Sequence, residues 1–199
     1  MSVKRDEIQK EYKWNVEAIF KTDALWNEEY NSLKNDIKVI SAFKGKLKEG
    51  YKNLLDLIKK EWELQIRLGR LYTYAHMKHD EDGKNEKYKD YFDRAYNLTS
   101  DFDEITSYIS PEIVEIPKDI MNEYLSREEL KEYKFYLEKI IRVKEHILSE
   151  KEERILSLAT KVLSASEDAF RSLDDSDLKF GFVENDGQKF ELTHGQYYL

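Results

Sequence analysis

The sequence predicts a mainly α fold, a multi-helix bundle of antiparallel helical hairpins with one small C-terminal β-hairpin. Apolar residues recur at helical spacing through residues 22–174, and the polar loop around Gly83 separates two long stretches that can pair as a helical hairpin. Residues 179–192 instead alternate apolar and polar side chains on both sides of Asn185-Asp-Gly187, the pattern of a β-hairpin. We therefore expect a single domain over residues 1–199.

The stretch from Tyr51 to Asp82 is the predicted centre of the bundle because it carries two apolar stripes at helical spacing. One stripe comprises Tyr51, Leu55, Ile58, Trp62, Ile66 and Gly69, and the other comprises Leu57, Leu64, Leu68, Leu71 and Ala75. A surface helix needs one apolar face about 100° wide, so two stripes predict neighbouring elements on both sides. Gly69 costs roughly 1 kcal/mol relative to alanine inside a helix, and we interpret it as a point where another backbone approaches closely.

The segments before and after the central helix are predicted to pack against it. Residues 1–21 form a leading segment whose apolar side chains lie across the helices as a strap; these are Tyr12, Trp14, Ile19 and Phe20. Thr22 or Asp23 can cap a first long helix with an apolar stripe from Trp26 to Ile40. After the loop, a second long helix carries one apolar seam, formed by Tyr88, Phe92, Ala95, Leu98, Phe102, Ile105 and Ile109.

Three further helix starts are predicted by a Ser-x-x-Glu capping box, in which the serine and the glutamate each satisfy a free backbone N–H. The boxes begin at Ser126, Ser149 and Ser164. They predict helices near 127–144 and 150–163, and a short helix that ends the helical region, residues 22–174.

The β-hairpin has two possible registers, which differ in the length of its turn. A two-residue Asp-Gly turn would put Phe182 opposite Glu191. A three-residue loop would put Phe182 opposite Phe190 instead, with Gly187 in the left-handed conformation. The three-residue loop is the preferred interpretation.

Residues 193–199 are predicted to start another helix, since Thr193 and Gln196 form a Thr-x-x-Gln capping box. A helix shorter than about 12 residues is marginal in water. Tyr197 and Tyr198 are therefore expected in the first turn of a longer, truncated helix.

Composition and charge exclude several classes of protein. The net charge of −8 and the absence of a basic run argue against nucleic-acid partners. The sequence contains no run of about 18 apolar residues, the length needed to span a bilayer, so no membrane partner is expected. The chain has no cysteine, which excludes disulfides, and its first residues lack the apolar core of a signal peptide. These features predict a cytoplasmic protein.

A set of short motifs runs through nearly the whole chain in a fixed order. They include Leu71-Tyr-Thr-Tyr-Ala75 before Asp80-Glu-Asp82, Pro111-Glu-Ile-Val-Glu-Ile-Pro117, His146-Ile-Leu-Ser-Glu150 and Glu191-Leu-Thr-His-Gly195. Their order and spacing resemble the N-terminal portion of the oligoendopeptidase F family, zinc metallopeptidases related to thimet oligopeptidase. His76, His79 and Gly83 depart from the pattern expected of that family.

The resemblance implies that zinc and catalysis belong to a part of the protein outside this chain. A peptidase of this kind needs His-Glu-x-x-His, because i, i+4 spacing puts two imidazoles on one helix face while the glutamate activates water. None of the four histidines begins such a motif. We therefore expect no cofactor, no catalytic residue and no peptide hydrolysis in this chain alone, with zinc held by the full-length family protein.

The end of the central helix is the sharpest candidate for local chemistry. His76 and His79 share a helix face at i, i+3 spacing, and Asp80 and Asp82 follow closely, so a metal ion could bind there. The alternative interpretation is a polar helix end, where acids cap the turn and cationic histidine stabilises the helix C-terminus.

Four tyrosines are candidates for contact with a substrate or a partner domain. Most aromatic residues fall at helical spacing and are assigned to core seams. The exceptions are Tyr72, Tyr74, Tyr197 and Tyr198. A helix that already buries two apolar stripes cannot also bury a third face, so these rings are candidates for the surface.

Two functions from different classes remain open. In the first, the chain is the N-terminal, non-catalytic portion of a zinc oligopeptidase that hydrolyses short peptides, and forms one wall of the substrate channel opposite a missing C-terminal catalytic domain. In the second, it is a standalone helical module that binds a peptide or protein without catalysis.

Overall fold

The architecture is mainly α, as the sequence predicts. A computed structural model of the chain describes residues 8–146, 148–174, 178–185 and 187–192. The described α-helices are α1 (Asp23–Asp36), α2 (Tyr51–Glu81), α3 (Glu86–Thr106), α4 (Ile109–Glu115), α5 (Lys118–Leu125), α6 (Lys134–Arg142), α7 (Glu150–Leu163) and α8 (Ala165–Ser172). Strands β1 (Phe182–Asn185) and β2 (Gln188–Glu191) form a two-stranded antiparallel sheet.

Short 3₁₀ helices connect several of these elements. They are Lys10–Tyr12, Val16–Ala18, Ile37–Phe43, Leu47–Glu49, Glu128–Tyr133 and Lys144–His146. The predicted cap of the first helix is confirmed, since the Thr22 Oγ1 atom accepts a hydrogen bond from the backbone N–H of Leu25 at 3.3 Å. The stripe of α1 continues into the 3₁₀ helix that follows it, where Ile37 and Ile40 are buried.

Helix α2 lies at the centre of the core and pairs with α3 as a helical hairpin. Its buried residues are Leu54, Leu55, Leu57, Ile58, Leu64, Leu68, Leu71, Tyr74 and Ala75. Residue Asn85 caps α3, because its side chain accepts a hydrogen bond from the backbone N–H of Lys87 at 3.2 Å. Every buried member of the described core lies between Val16 and Ile140, so the core closes on the elements up to α6.

One of the two stripes predicted for α2 is covered only along the first half of the helix. Leu55 and Ile58 are buried there, but Ile66 is 66% exposed and Trp62 is also exposed, with the Tyr133 and Tyr136 rings against its edges. The second half of this stripe therefore faces solvent. The close approach predicted at Gly69 is wrong, since a Cβ atom placed on it would meet no neighbouring element within 4 Å.

The leading segment is only partly the strap that its aromatic residues predict. Ile19 and Phe20 pack against the core, and Val16 is fully buried. Tyr12 and Trp14 are exposed instead. Among the described residues of this segment, those from Val16 to Phe20 include the side chains that pack on the apolar surface of the helices.

The three predicted capping boxes have different outcomes. The box at Ser149 is present, with Glu152 as its partner. The box at Ser126 is absent, because its hydroxyl donates to the backbone oxygen of Glu123 at the end of α5. A 3₁₀ helix and then α6 follow in place of one helix over 127–144. Helix α8 does begin after Ser164, but without a side-chain cap.

The preferred register of the β-hairpin is wrong. Phe182 pairs with Glu191 and Asn185 pairs with Gln188, so only two residues span the turn. A two-residue turn with a left-handed backbone matches the twist of the strands, and this outweighs the pairing of two phenylalanines. Gly187 has a φ of +75°, as predicted. The predicted helix start at 193–199 lies outside the described residues.

Candidate functional site

Five ring-bearing side chains lie together where the last turns of α2 pack against the first half of α3. Tyr72, His76 and His79 follow i, i+4, i+7 spacing and so share one face of α2, while Phe92 and Tyr96 share one face of α3. We call these five residues the aromatic–histidine face. The helical hairpin makes the face, since neither helix alone carries more than three of its members.

The rings of the aromatic–histidine face contact one another directly. Phe92 is at the centre: its ring centroid lies 5.7 Å from that of Tyr72, 5.3 Å from that of His76 and 5.3 Å from that of His79. The Tyr72 and His76 rings stack at 5.7 Å, and Tyr96 lies 6.4 Å from Phe92. Such pairs stabilise a site by about 0.5–1.5 kcal/mol beyond their buried area, so the face has a fixed shape.

Helix α8 borders this face. The Tyr96 hydroxyl lies 2.8 Å from the Ser164 Oγ atom, immediately before α8. Burial raises the pKa of Tyr72, while Arg171 of α8 is close enough to act on that pKa in the opposite direction. Tyr72 is half-buried, so it keeps a surface that can contact another molecule.

The four metal-ligand candidates do not converge on one point. Asp80 lies near both histidines, with Nδ1 to carboxylate distances of 3.6 Å to His76 and 3.7 Å to His79. Asp82 instead accepts a hydrogen bond from the backbone N–H of Lys84 at 3.3 Å and belongs to the turn. Within the described ranges, no group of three or more metal-ligating side chains occurs. The described residues therefore do not form the set of three or four ligands that a zinc site requires.

Tyr74 does not belong to a surface site, contrary to the prediction. It is buried, and its hydroxyl donates to the Asp23 Oδ1 atom at 2.7 Å, while Lys87 binds the other Asp23 oxygen at 2.6 Å. Burial first, and then the bond to Asp23, raise the pKa of Tyr74. The residue thus connects α1 to the α2–α3 hairpin. Tyr197 and Tyr198 lie outside the described residues.

Sequence reasoning missed a second aromatic cluster, which joins α1 to α3. The Arg94 guanidinium lies over the rings of Trp26, Tyr30 and Tyr91 at 4.9, 4.3 and 5.5 Å from their centroids. The Trp26 and Tyr91 rings stack at 4.1 Å. This cation–π stack holds the helices in place. Its members are 61 or more positions apart across the two helices, so local spacing in the sequence carried no signal for it.

A shallow groove of about 220 Å³ lies near the N-terminus of α7, lined by Lys44, Lys48, Tyr108, Glu112 and Glu150 among others. Three of the charged side chains in its lining already have partners within the chain. Lys44 pairs with Glu150, and the Glu112 carboxylate accepts the backbone N–H groups of Gly45 and Leu47. The groove therefore has a structural role as a junction between helices.

One carboxyl group has a strongly shifted pKa. Burial raises the pKa of Glu61 on α2 to about 7, and a hydrogen bond from the Tyr136 hydroxyl at 3.5 Å opposes this only weakly. Glu61 contacts Tyr136 of α6 and lies 11 residues before Tyr72 along α2. It is a partly buried acid that contacts α6, and within the described region it belongs to no group of three or more metal-ligating side chains.

The chain is a helical protein with an aromatic surface. Its described residues do not contain the ligand set of a metallopeptidase. A sequence profile of the family described as Oligopeptidase F matches residues 112–180. The chain is 38% identical over 195 residues to Oligopeptidase PepF of Bacillus subtilis, covering 97% of this chain and 29% of that protein. It is 34% identical to Group B oligopeptidase PepB of Streptococcus agalactiae, covering 99% of this chain and 33% of that protein.

Solved structures agree with these sequence relatives. The crystal structure of oligoendopeptidase-F from Enterococcus faecium superposes with a TM-score of 0.81 at 31% identity, over 88% of this chain and 34% of that chain. A putative peptidase from Chlamydophila abortus superposes with a TM-score of 0.66 at 28% identity. The resemblance to the N-terminal portion of the oligoendopeptidase F family is thereby confirmed. The chain spans about a third of the length of the relatives it matches.

Proposed function

We propose that the chain is the N-terminal, non-catalytic portion of a zinc oligopeptidase that hydrolyses short peptides. The observation that carries the proposal is the extent of the matches: they cover 97–99% of this chain but only 29–33% of the curated oligopeptidases. The sequence itself contains no His-Glu-x-x-His motif. Zinc and the general base would then belong to the remaining two thirds of such a protein.

Within that protein, the chain would form one wall of the substrate channel as a single helical domain. The aromatic–histidine face supports this role, because rings fixed on a rigid helical hairpin can contact an extended peptide without losing side-chain freedom. On α2, His76 is more exposed than His79, and Tyr72 is half-buried. We also propose a cytoplasmic location; among the described helices, none is long and apolar enough to cross a membrane.

The proposed wall can be tested in a joined protein, in which residues 1–199 replace the matched third of the Bacillus subtilis oligopeptidase. We expect Tyr72→Ala to raise the KM for a quenched oligopeptide several-fold while kcat changes little, because the face would bind substrate without touching the reacting bond. Tyr12→Ala, at an exposed tyrosine outside the aromatic–histidine face, is the matched control. An unchanged KM for Tyr72→Ala would contradict the proposal that the aromatic–histidine face lines the substrate channel.

The alternative is a standalone helical module that binds a peptide or protein. The core supports it, since every buried member of the described core lies between Val16 and Ile140 and is covered by the chain's own residues. Binding of short peptides by the isolated chain, with the same affinity as by the joined protein, would favour this function.

A further inference from the structure

Helix α7 turns its polar side toward the rest of the chain. The Arg154 guanidinium bonds the Glu104 Oε1 atom of α3 at 3.0 and 3.2 Å. At the end of the helix the Ser164 Oγ atom lies 2.8 Å from the Tyr96 hydroxyl of α3. Between them the Ser157 Oγ atom is buried and finds no hydrogen-bond partner among the described residues. The contact with α3 is therefore made by polar groups.

The opposite side of α7 is apolar and faces solvent. Ile155, Leu158 and Val162 follow i, i+3, i+7 spacing, which puts them on one face, and they are 64%, 49% and 76% exposed. We call these three residues the outward face of α7. Leu156 and Leu163 flank it and are also exposed. This is the reverse of an ordinary surface helix, whose apolar stripe packs on the core.

The outward face does not serve the core of the described chain. None of the described residues after Ile140 is a buried member of that core. Further exposed apolar side chains continue from α7 into α8 and the β-hairpin; these are Phe170, Leu173, Phe182 and Val183. Apolar surface of this extent is uncommon on soluble monomers and marks an interface.

We propose that the outward face of α7 is the docking surface for the polypeptide that follows the matched region in the oligopeptidase relatives. The inference rests on the proposed function and adds to it the surface by which this portion binds the rest. About two thirds of a relative's length lie outside the matched region, and the proposed function puts this length after it, where it supplies the partner. The exposed apolar residues concentrate after residue 150, so they lie on the part of the chain nearest in sequence to that partner.

The character of the face also selects this partner over a peptide substrate. Residues 155–163 carry a single charged residue, Lys161, so the face offers little to the charged termini of a short peptide. Branched aliphatic side chains on one face of a helix instead suit permanent packing against another helix, ridges into grooves. A constitutive interface is also more apolar than a transient one. The face therefore fits a covalently continuous part of the same protein.

Because the chain has no cysteine, a single introduced thiol can report whether the face is covered. Ile155→Cys is the probe and Ile66→Cys on α2 is its matched control, since both are isoleucines on a helix with 64% and 66% exposure. Each variant is alkylated as residues 1–199 alone and in the joined protein, and the labelled residue is identified by mass spectrometry of its peptide. Both substitutions are at exposed positions and should leave thermal unfolding nearly unchanged.

We expect alkylation of Ile155→Cys to slow by about tenfold or more in the joined protein, because a buried thiol reacts only through local opening. Ile66→Cys should react at the same rate in both forms. Equal rates for Ile155→Cys in a joined protein that cleaves peptides would overturn the docking surface but leave the proposed function standing. A joined protein that is inert toward peptides would count against the proposed function, whatever the thiol reports.

A second copy of the chain is the competing occupant. If labelling of Ile155→Cys in the isolated chain slows as protein concentration rises, and the joined protein gives no further protection, the face is a contact between copies and the proposal is wrong. Labelling that is independent of concentration in the isolated chain, together with protection in the joined protein, supports it.

Discussion

Glu61 is the residue whose ionisation should affect stability most clearly. Its pKa is raised by burial to about 7, from an ordinary value of 4.5. The folded chain therefore binds a proton between about pH 4.5 and 7 that the unfolded chain releases. Stability is then highest below this window and falls as the pH rises through it, because the charged carboxylate is poorly solvated between the helices.

We expect Glu61→Gln to stabilise the chain above pH 7, by an amount on the order of 1–3 kcal/mol, and to flatten the fall in stability between pH 4.5 and 7. Urea unfolding at a series of pH values measures both effects. Glu132→Gln, at an exposed glutamate on the adjacent 3₁₀ helix, is the control and should change little. A Glu61→Gln variant with the same pH dependence as the original chain would show that the carboxylate is solvated.

Tyr74 and Tyr72 are two positions apart on α2 and should differ sharply in their contribution to stability. Tyr74 donates to a partly buried carboxylate of Asp23, whereas the Tyr72 ring lies in the aromatic–histidine face. We expect Tyr74→Phe to lower the free energy of unfolding by about 2 kcal/mol, since hydrogen bonds to charged groups contribute about 1.5–3 kcal/mol. Tyr72→Phe should cost much less. Equal losses in chemical denaturation would contradict the assignment of Tyr74 as a structural residue.

These two tyrosines also show the limit of prediction at this scale. Helical spacing identified the apolar stripes of α2. It could not reveal that the carboxylate of Asp23, 51 positions away, would accept a hydrogen bond from Tyr74. The Arg94 stack over Trp26 and Tyr91 escaped prediction for the same reason. Partners distant in sequence are set by the packing of whole helices and leave no local pattern.

At the scale of elements, the termini that depend on local hydrogen bonds were predicted best. The Thr22 cap and the Ser149 box use partners within three residues, so the sequence contained the whole interaction. In the same motif at Ser126 and Ser164, the serine hydroxyl forms its hydrogen bond with another group: the Glu123 carbonyl for Ser126 and the Tyr96 hydroxyl for Ser164. A motif predicts a cap only where no competing partner is nearer.

Gly69 gives a direct test of how α2 packs. It lies in a helix interior with no neighbouring element within 4 Å of a Cβ atom placed there. Gly69→Ala should therefore stabilise the chain by about 1 kcal/mol, the difference in helix propensity. Gly45→Ala is the control: at a φ of +80° an alanine is strained, and stability should fall by about 1 kcal/mol. Destabilisation by Gly69→Ala would instead support the close backbone approach at Gly69 that the sequence predicted.

The register of the β-hairpin can be checked through its turn. Gly187→Asn should keep the hairpin, because asparagine tolerates a positive φ, whereas Gly187→Val should disrupt it at a cost of about 1–2 kcal/mol. Cross-strand nuclear Overhauser effects between Val183 and Phe190 report the observed pairing. Contacts between Phe182 and Phe190 as directly opposed residues would instead support the three-residue loop.

At the scale of the whole molecule, the chain divides into a closed core and an outer region. The mainly α class, the central helix and the helical hairpin followed from apolar spacing alone. The outward orientation of the apolar face of α7 did not follow from that spacing. An apolar stripe predicts a buried face in the same way whether the chain itself or another polypeptide covers it. Sequence pattern shows which face is apolar, and only the fold shows whether the chain itself covers it.

This division predicts two levels of protection against hydrogen exchange. Amides of α2 and α3 should exchange only through global unfolding, because both helices carry buried core residues. Amides of α7 and α8 should exchange faster through local opening, since the described side chains of these helices lie outside the buried core. Uniform protection from α2 through α8 in the isolated chain would contradict the division.

The central claim, that this chain is the non-catalytic portion of an oligopeptidase, is tested most directly by peptide cleavage in three samples. They are residues 1–199 alone, the following segment of the Bacillus subtilis oligopeptidase alone, and the joined protein, each with a quenched oligopeptide and with or without a metal chelator. We predict no turnover by residues 1–199, weak or no turnover by the following segment, and chelator-sensitive turnover by the joined protein. Chelator-sensitive cleavage by purified residues 1–199 would contradict the claim.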